Sequence, residues 1–385
     1  MNILYIMRYW PVYGGGETIT ATLANEFVRR GHNVFIAYQY NNVVNPMPYE
    51  IDSRVKIFKT HTIEKYKNKD VLSLHDYIID NNIDVMINQW GDSSLCANAK
   101  KDTNCKLIVC WHLDVLRKAV KNLGKKDKII KQIFGNNLFE KYNRVKQLRE
   151  HNRNYRLSDK YVFLSDSFVN VYKHLAKIED KDNKLSAISN PLTYNFDYDF
   201  NDIDKKKKEV LFVGRIFEYH KRLSYILKIW SKIEKDHDFD EWTLKIVGDG
   251  PDMSLIKELS NRLQIRRITF EGFKNPRKYY NEASIFVMTS AFEGFGMTLV
   301  EAQQYATVPI VMDTYLSLHD IIINENNGVI IPDNDINMYV SKLKQLMSDD
   351  KYRLKLAYNG LSACKKFNVK NITDKWELLL NNLIK

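Results

Sequence analysis

The sequence predicts an α/β chain of two Rossmann-like domains, each a parallel sheet flanked by helices, with a ligand cleft between them. Three observations carry that expectation. Short apolar runs alternate with amphipathic helical stretches, and parallel strands require such crossover helices. The alternation restarts after Ser189-Asn190-Pro191. A length of 385 residues suits two domains at ~100–200 residues each. The domains are placed at 1–190 and 191–370, with 371–385 a terminal helix able to cross back to the first.

The first strand reads as Asn2–Met7, followed by a Gly-rich turn. Ile19, Leu23 and Phe27 then fall on one helical face within Thr18–Arg30, and Gly31 suits the position just past a helix end. Val34–Tyr38, Val85–Asn88, Leu107–Cys110 and Tyr161–Leu164 read as further strands. The polar stretch Tyr194–Lys208 reads as a linker or surface loop. Val210–Val213 opens the second sheet, a helix spans roughly Leu223–Lys235, and Leu244–Val247, Ile268–Phe270, Ile285–Thr289 and Val308–Val311 continue it. Ile372–Ile384 has a helical pattern. In such sheets ligands bind beyond the carboxyl ends of the strands.

Composition excludes several classes. With 44% hydrophobic and 27% charged residues the chain is globular, and no apolar run reaches the ~18 residues of a membrane span. The start Met1–Met7 reads as a strand, and Cys96, Cys105, Cys110 and Cys364 show no metal-ligand spacing. A reduced, cytoplasmic protein without structural zinc is the expectation. The net charge of +11 is concentrated. Residues 116–156 hold thirteen Lys and Arg against three acids, interleaved with Val120, Ile129, Ile133 and Leu138. A basic amphipathic stretch suits a solvated helical face or the anionic inner face of a membrane. No nucleic-acid module accompanies it.

Residues suited to chemistry sit at the strand ends. Gly14-Gly15-Gly16 lies between the first strand and its helix, where bare backbone can approach a phosphate or a sugar, or simply turn. It is neither GxGxxG nor a P-loop, which disfavours NAD and Walker-type nucleotide hydrolysis. His112, after a strand, suits a sugar hydroxyl, a proton transfer or plain packing. Gly214-Arg215, with Lys221 six residues on, offers cations for a diphosphate. Ala291-Phe292-Glu293-Gly294-Phe295-Gly296-Met297 opens a helix that carries Glu301. The glycines free the turn, and two carboxylates eight residues apart suit hydroxyl recognition. Gly248-Asp249-Gly250 and Phe270-Glu271-Gly272-Phe273 end two strands, with Phe273 a candidate to stack on a base; Tyr279 and Tyr280 read as packing.

In this order the motifs resemble the retaining GT-B glycosyltransferases of family 4, the group 1 glycosyltransferases, over essentially the whole chain. The resemblance implies a GT-B fold, an acceptor-binding first domain and a nucleotide-sugar-binding second one. It implies transfer of a hexose or N-acetylhexosamine from a nucleotide-diphosphate sugar, by family frequency a UDP-sugar, to a glycan or lipid-linked glycan in surface polysaccharide assembly. Carried over, Arg215 and Lys221 bind the donor diphosphate, and Glu293 bonds the donor sugar. The Gly294–Met297 backbone lies near sugar and phosphate, and Glu301 holds the ribose. His112 sits near the sugar, Gly15 and Gly16 near phosphate and acceptor, and Gly214, Gly272 and Phe273 line the nucleotide. Lacking a DxD motif, the chain is expected to need neither metal nor cofactor. Tyr305 and Ala306 depart from the family, which usually has a small residue and a glycine there. A nucleotide-sugar epimerase and a non-catalytic scaffold are the other readings. The epimerases lack Glu-x7-Glu in this form, and intact Arg215, Lys221, Glu293 and Glu301 argue against a scaffold.

Overall fold

The computed structural model describes residues 1–11, 15–40, 50–60, 68–115, 125–194 and 198–385, without the side chains of 68–69 and 125–137. Gly14, residues 116–124 of the basic segment and Asp197 therefore lie outside the described residues, as do the side chains of Lys125, Lys126, Lys128 and Lys131.

In chain order the first half comprises β1 (Asn2–Tyr9), α1 (Gly15–Arg29), β2 (Asn33–Tyr40), β3 (Lys56–Lys59), α2 (Asn68–Asp80), β4 (Val85–Asn88), α3 (Ser93–Ala99), β5 (Lys106–Trp111), α4 (Lys125–Leu157), β6 (Lys160–Phe163), α5 (Asp166–Ala176) and β7 (Leu185–Ala187). The second comprises β8 (Lys207–Val213), α6 (Glu218–Lys221), α7 (Leu223–Ile233), β9 (Thr243–Val247), α8 (Met253–Arg262), β10 (Ile268–Gly272), α9 (Arg277–Glu282), β11 (Ala283–Met288), α10 (Met297–Gln304), β12 (Val308–Asp313), α11 (Leu318–Ile321), β13 (Val329–Pro332), α12 (Ile336–Ser348) and α13 (Asp350–Ala363). The chain closes on α14 (Val369–Ile384).

These elements form two compact units, Met1–Thr193 with Phe367–Lys385, and Tyr194–Lys366. The first sheet runs β3-β2-β1-β4-β5-β6-β7 and the second β10-β9-β8-β11-β12-β13. Every strand pair in both sheets is parallel. The expected pair of parallel-sheet α/β domains is what the chain adopts. Strands β3, β7 and β13 went unread in the sequence because they are sheet edges of three or four residues. Lys207 and Lys208, read as linker, begin β8 instead. Their exposed side chains pair with Glu282 and Glu241, just before the neighbouring strands β11 and β9, which accounts for the charge at a strand start.

The central strands are visible in the sequence because both faces are covered. Ile3 to Met7 are all fully buried in β1. On α1 the face of Ile19, Leu23 and Phe27 is buried against that sheet. The helix stops at Gly31, whose φ of +87° suits glycine. The amide of Gly31 donates to Val28 O and that of His32 to Phe27 O, closing a Schellman motif. α14 buries Ile372, Trp376 and Leu380 in the first unit. Arg30, just past the end of α1, holds it there, 2.6 Å from Asp374 and 2.7 Å from Glu377. Among the described residues no helix is long and apolar enough to cross a membrane.

Strand order fixes where loops diverge. β1 lies between β2 and β4, and β8 between β9 and β11, so connections leave those neighbours in opposite directions. Such switch points leave a crevice beyond the carboxyl ends of the strands.

Candidate active site

In the second unit the crevice is built first from backbone. Gly214 follows β8, and its amide donates to Val247 O at the end of β9. The amide of Ile216 donates to Asp249 O at 2.9 Å. The two loops touch so closely that a Cβ on Gly248 would stand 2.0 Å from Gly214 O. One on Gly250 would stand 2.2 Å from Ile216 O. The Gly-Asp-Gly run is therefore more than a turn: it lets the loop carrying Arg215 lie against its neighbour.

The loop then turns through α6 and Arg222, a left-handed corner at φ +47°. Arg222 donates from Nε to Thr289 O at 2.6 Å, and Thr289 Oγ1 lies 3.1 Å from Lys221 O. The amide of Ala291 donates to His220 O. These bonds stitch the α6 corner to the end of β11 and bring Lys221 beside Glu293. Lys221 Nζ is 2.5 Å from Glu293 Oε1, with the side chains only 12% and 11% exposed. His220 stacks on Phe292 and donates from Nε2 to its carbonyl at 2.7 Å, 3.5 Å from Glu293 Oε1. Burial alone would push the Glu293 carboxyl up, but Lys221 and His220 more than reverse it and hold Glu293 well below the usual carboxylate range. The result is a fixed anion and a fixed cation at the switch point.

Beyond Glu293 the chain enters α10 through Gly296, at φ +90°. A Cβ there would meet the Tyr315 hydroxyl at 2.7 Å, so both conformation and space require glycine. Phe295 is buried, and Gly294 O accepts from Ser317 Oγ at 3.1 Å. Met297 begins α10, whose first amides have no partner inside the helix. Glu301 lies one turn on and accepts from the Tyr280 hydroxyl at 3.0 Å. Arg215 is exposed and forms no ion pair among the described residues. Gly272 closes β10 at φ +70°, and Phe273 after it is 47% exposed.

In the first unit, Gly15 and Gly16 open α1 beyond the end of β1. The loop after β4 returns to them: a Cβ on Gly16 would stand 2.8 Å from Trp90 Nε1. Trp90 stacks on His112 at 5.0 Å between ring centroids. Burial pushes His112 down to about 4, so its ring is neutral near pH 7. Nε2 meets Gln89 Oε1, an acceptor, so Nε2 carries the hydrogen and Nδ1 is left as the ring's acceptor. Asp114 serves through its backbone, accepting from Trp111 Nε1 at 3.2 Å.

Residues 195–362 match the family described as glycosyl transferases group 1. That stretch makes up most of the second unit, which is similar to the group 1 glycosyltransferases. An uncharacterized glycosyltransferase of Haemophilus influenzae is 24% identical over 379 residues, 95% of this chain and 96% of its own. The amylovoran biosynthesis glycosyltransferase AmsD of Erwinia amylovora is 23% identical, over 96% of each chain. Among solved structures, HepE of Anabaena in complex with UDP and glucose superposes with a TM-score of 0.73 at 15% identity, covering 99% of this chain and 100% of its own. That likeness concerns the fold, and the GT-B class read from the sequence holds.

The second unit gathers Gly214, Lys221 and Glu293 at one point. Glu301 stands apart, on α10 against Tyr280. Sequence reasoning missed His220, which backs Glu293 from the position before Lys221. It also missed Gln89 and Trp90, which set the His112 ring. Both follow β4 directly, and the rule that strand ends carry ligand residues would have singled them out. Tyr280, read as packing, also reaches Glu301.

Proposed function

We propose that this glycosyltransferase works with retention of configuration, moving a hexose or N-acetylhexosamine from a UDP-sugar to an acceptor hydroxyl on a glycan or lipid-linked glycan. The observation that carries the reading is the Lys221–Glu293 pair beside the start of α10. Lys221 and Arg215 receive the negative charge that grows on the departing diphosphate, a role that requires no metal. Glu293, kept ionised, accepts from hydroxyls of the transferred sugar and orients it. The acceptor oxygen bonds the anomeric carbon on the face the diphosphate leaves. The carbon–oxygen bond to diphosphate breaks, and the acceptor proton passes to the leaving group. His112, its ring neutral, offers Nδ1 as an acceptor for a sugar hydroxyl. The UDP in the HepE complex supports the base, and the name of AmsD supports a polysaccharide product.

A nucleotide panel tests the donor. In EDTA, UDP at 100 times its Kd should stabilise the protein by about 2.7 kcal/mol, whereas GDP, ADP and NAD at the same concentration should do little. The shift should shrink in Lys221→Met relative to that variant's own baseline. Stabilisation by NAD alone, or by no diphosphate, would overturn the reading.

The basic segment extends the proposal to an acceptor at an anionic membrane face. In its described part Lys141, Lys146, Arg149, Arg153 and Arg156 are exposed along α4. Replacing Lys141, Arg149 and Arg153 by Gln should release the protein from vesicles rich in phosphatidylglycerol, read by co-sedimentation. Equal sedimentation of variant and wild type would remove the membrane from the proposal.

A further inference from the structure

We infer that Tyr280 is a positioning residue for the carboxylate that reads the donor ribose, and that Tyr305 braces it. The inference rests on the reading of Glu301 as the ribose-binding group. The Tyr280 hydroxyl donates to Glu301 Oε2 at 3.0 Å, so it fixes which way the carboxylate faces. Tyr280 is itself fully buried and held at three points. Its carbonyl accepts from Lys206 Nζ at 2.7 Å and from Thr307 Oγ1 at 2.6 Å. Its ring lies parallel to that of Tyr305, 6° between planes and 6.2 Å between centroids. Tyr198 and Tyr194 close on Tyr305 edge-on from the other sides.

The helix makes this arrangement possible. Glu301 and Tyr305 are four residues apart, hence on one face of α10 and its cap, and Tyr280 on α9 meets both. The buried ring of Tyr305 lies against that of Tyr280 and removes freedom from the tyrosine that aims Glu301. A carboxylate already aimed loses less rotamer freedom when the ribose arrives, so the gain appears in nucleotide binding and not in the chemical step.

The test pairs protein changes with ligand changes. Affinities of UDP and 2′,3′-dideoxy-UDP are measured by calorimetry for wild type, Tyr280→Phe, Tyr305→Leu and Glu301→Gln. Tyr280→Phe should weaken UDP about five- to tenfold, less than a whole hydrogen bond to a charged group because the carboxylate itself remains, and leave dideoxy-UDP unchanged. In turnover the same variant should raise the donor KM with little change in kcat. Tyr305→Leu should show the same ligand-selective loss, and it carries the test if Tyr280→Phe fails to fold. Equal weakening of both ligands, or of neither, would overturn the inference. If Glu301→Gln weakens UDP no more than it weakens dideoxy-UDP, the ribose reading falls. If Glu301→Gln weakens UDP selectively and Tyr280→Phe does not, only the positioning role falls.

Discussion

Lys221→Met should cost the enzyme both activity and stability, and adding Glu293→Gln should return only the stability. The pair is nearly buried, with 2.5 Å between Nζ and Oε1. Taking away the ammonium leaves the carboxylate facing His220 alone at 3.5 Å. An uncompensated buried charge of this kind costs about 3–5 kcal/mol. A glutamine at 293 removes that charge, so the double variant should recover most of the loss in urea-induced unfolding. Catalysis should not follow. On the proposed reading, loss of Lys221 takes a charge-stabilising donor from the diphosphate, an effect of about 10²–10³ in kcat, and Glu293→Gln removes the acceptor for the donor sugar. A double variant as unstable as the single would show the pair is not coupled, and one with restored turnover would free both residues from catalysis.

The same pair sets an acid dependence. Glu293 titrates below its ordinary range, so the unfolded chain takes up a proton at a higher pH than the folded one. Its contribution is complete above the ordinary carboxylate pKa and is lost as pH falls toward the folded value. Stability of the double variant should therefore decline less steeply than that of wild type as pH drops below about 4.3.

Gly248→Ala should be the most damaging small change in the second unit. Its φ of +136° is a region that alanine avoids, and the new Cβ would stand 2.0 Å from Gly214 O and 2.9 Å from Gly214 C. Backbone on the other side cannot rotate away, so the loops after β8 and β9 must part. Strain and overpacking together cost about 3 kcal/mol or more. Gly272→Ala separates the two terms: its φ is +70° but no atom lies within 4 Å of the new methyl. That variant should lose only about 1–2 kcal/mol. Equal melting temperatures for the two variants would mean that crowding against Gly214 is not what demands glycine at 248.

How much of this was legible beforehand follows from what each feature depends on. Central parallel strands are covered on both faces, so Ile3–Met7 and Ile285–Met288 stand out as unbroken apolar runs. Helix faces repeat at their own period, and Gly31 marks a helix end by conformation alone. The sequence by itself therefore determined two strand-and-helix series, and the glycines and charged groups at their strand ends. It left unresolved the short edge strands, whose three or four residues carry no period.

Tertiary structure alone decided which strand ends meet. Lys221 and Glu293 are 72 residues apart and become partners because β8 and β11 are neighbours at the switch point. Tyr280 reaches Glu301 across 21 residues because α9 and α10 bracket β11. Trp90 comes over Gly16 because β4 returns beside β1. Strand order is set by packing of whole crossovers and not by local periodicity, so residue types could be read from the chain while their partners could not.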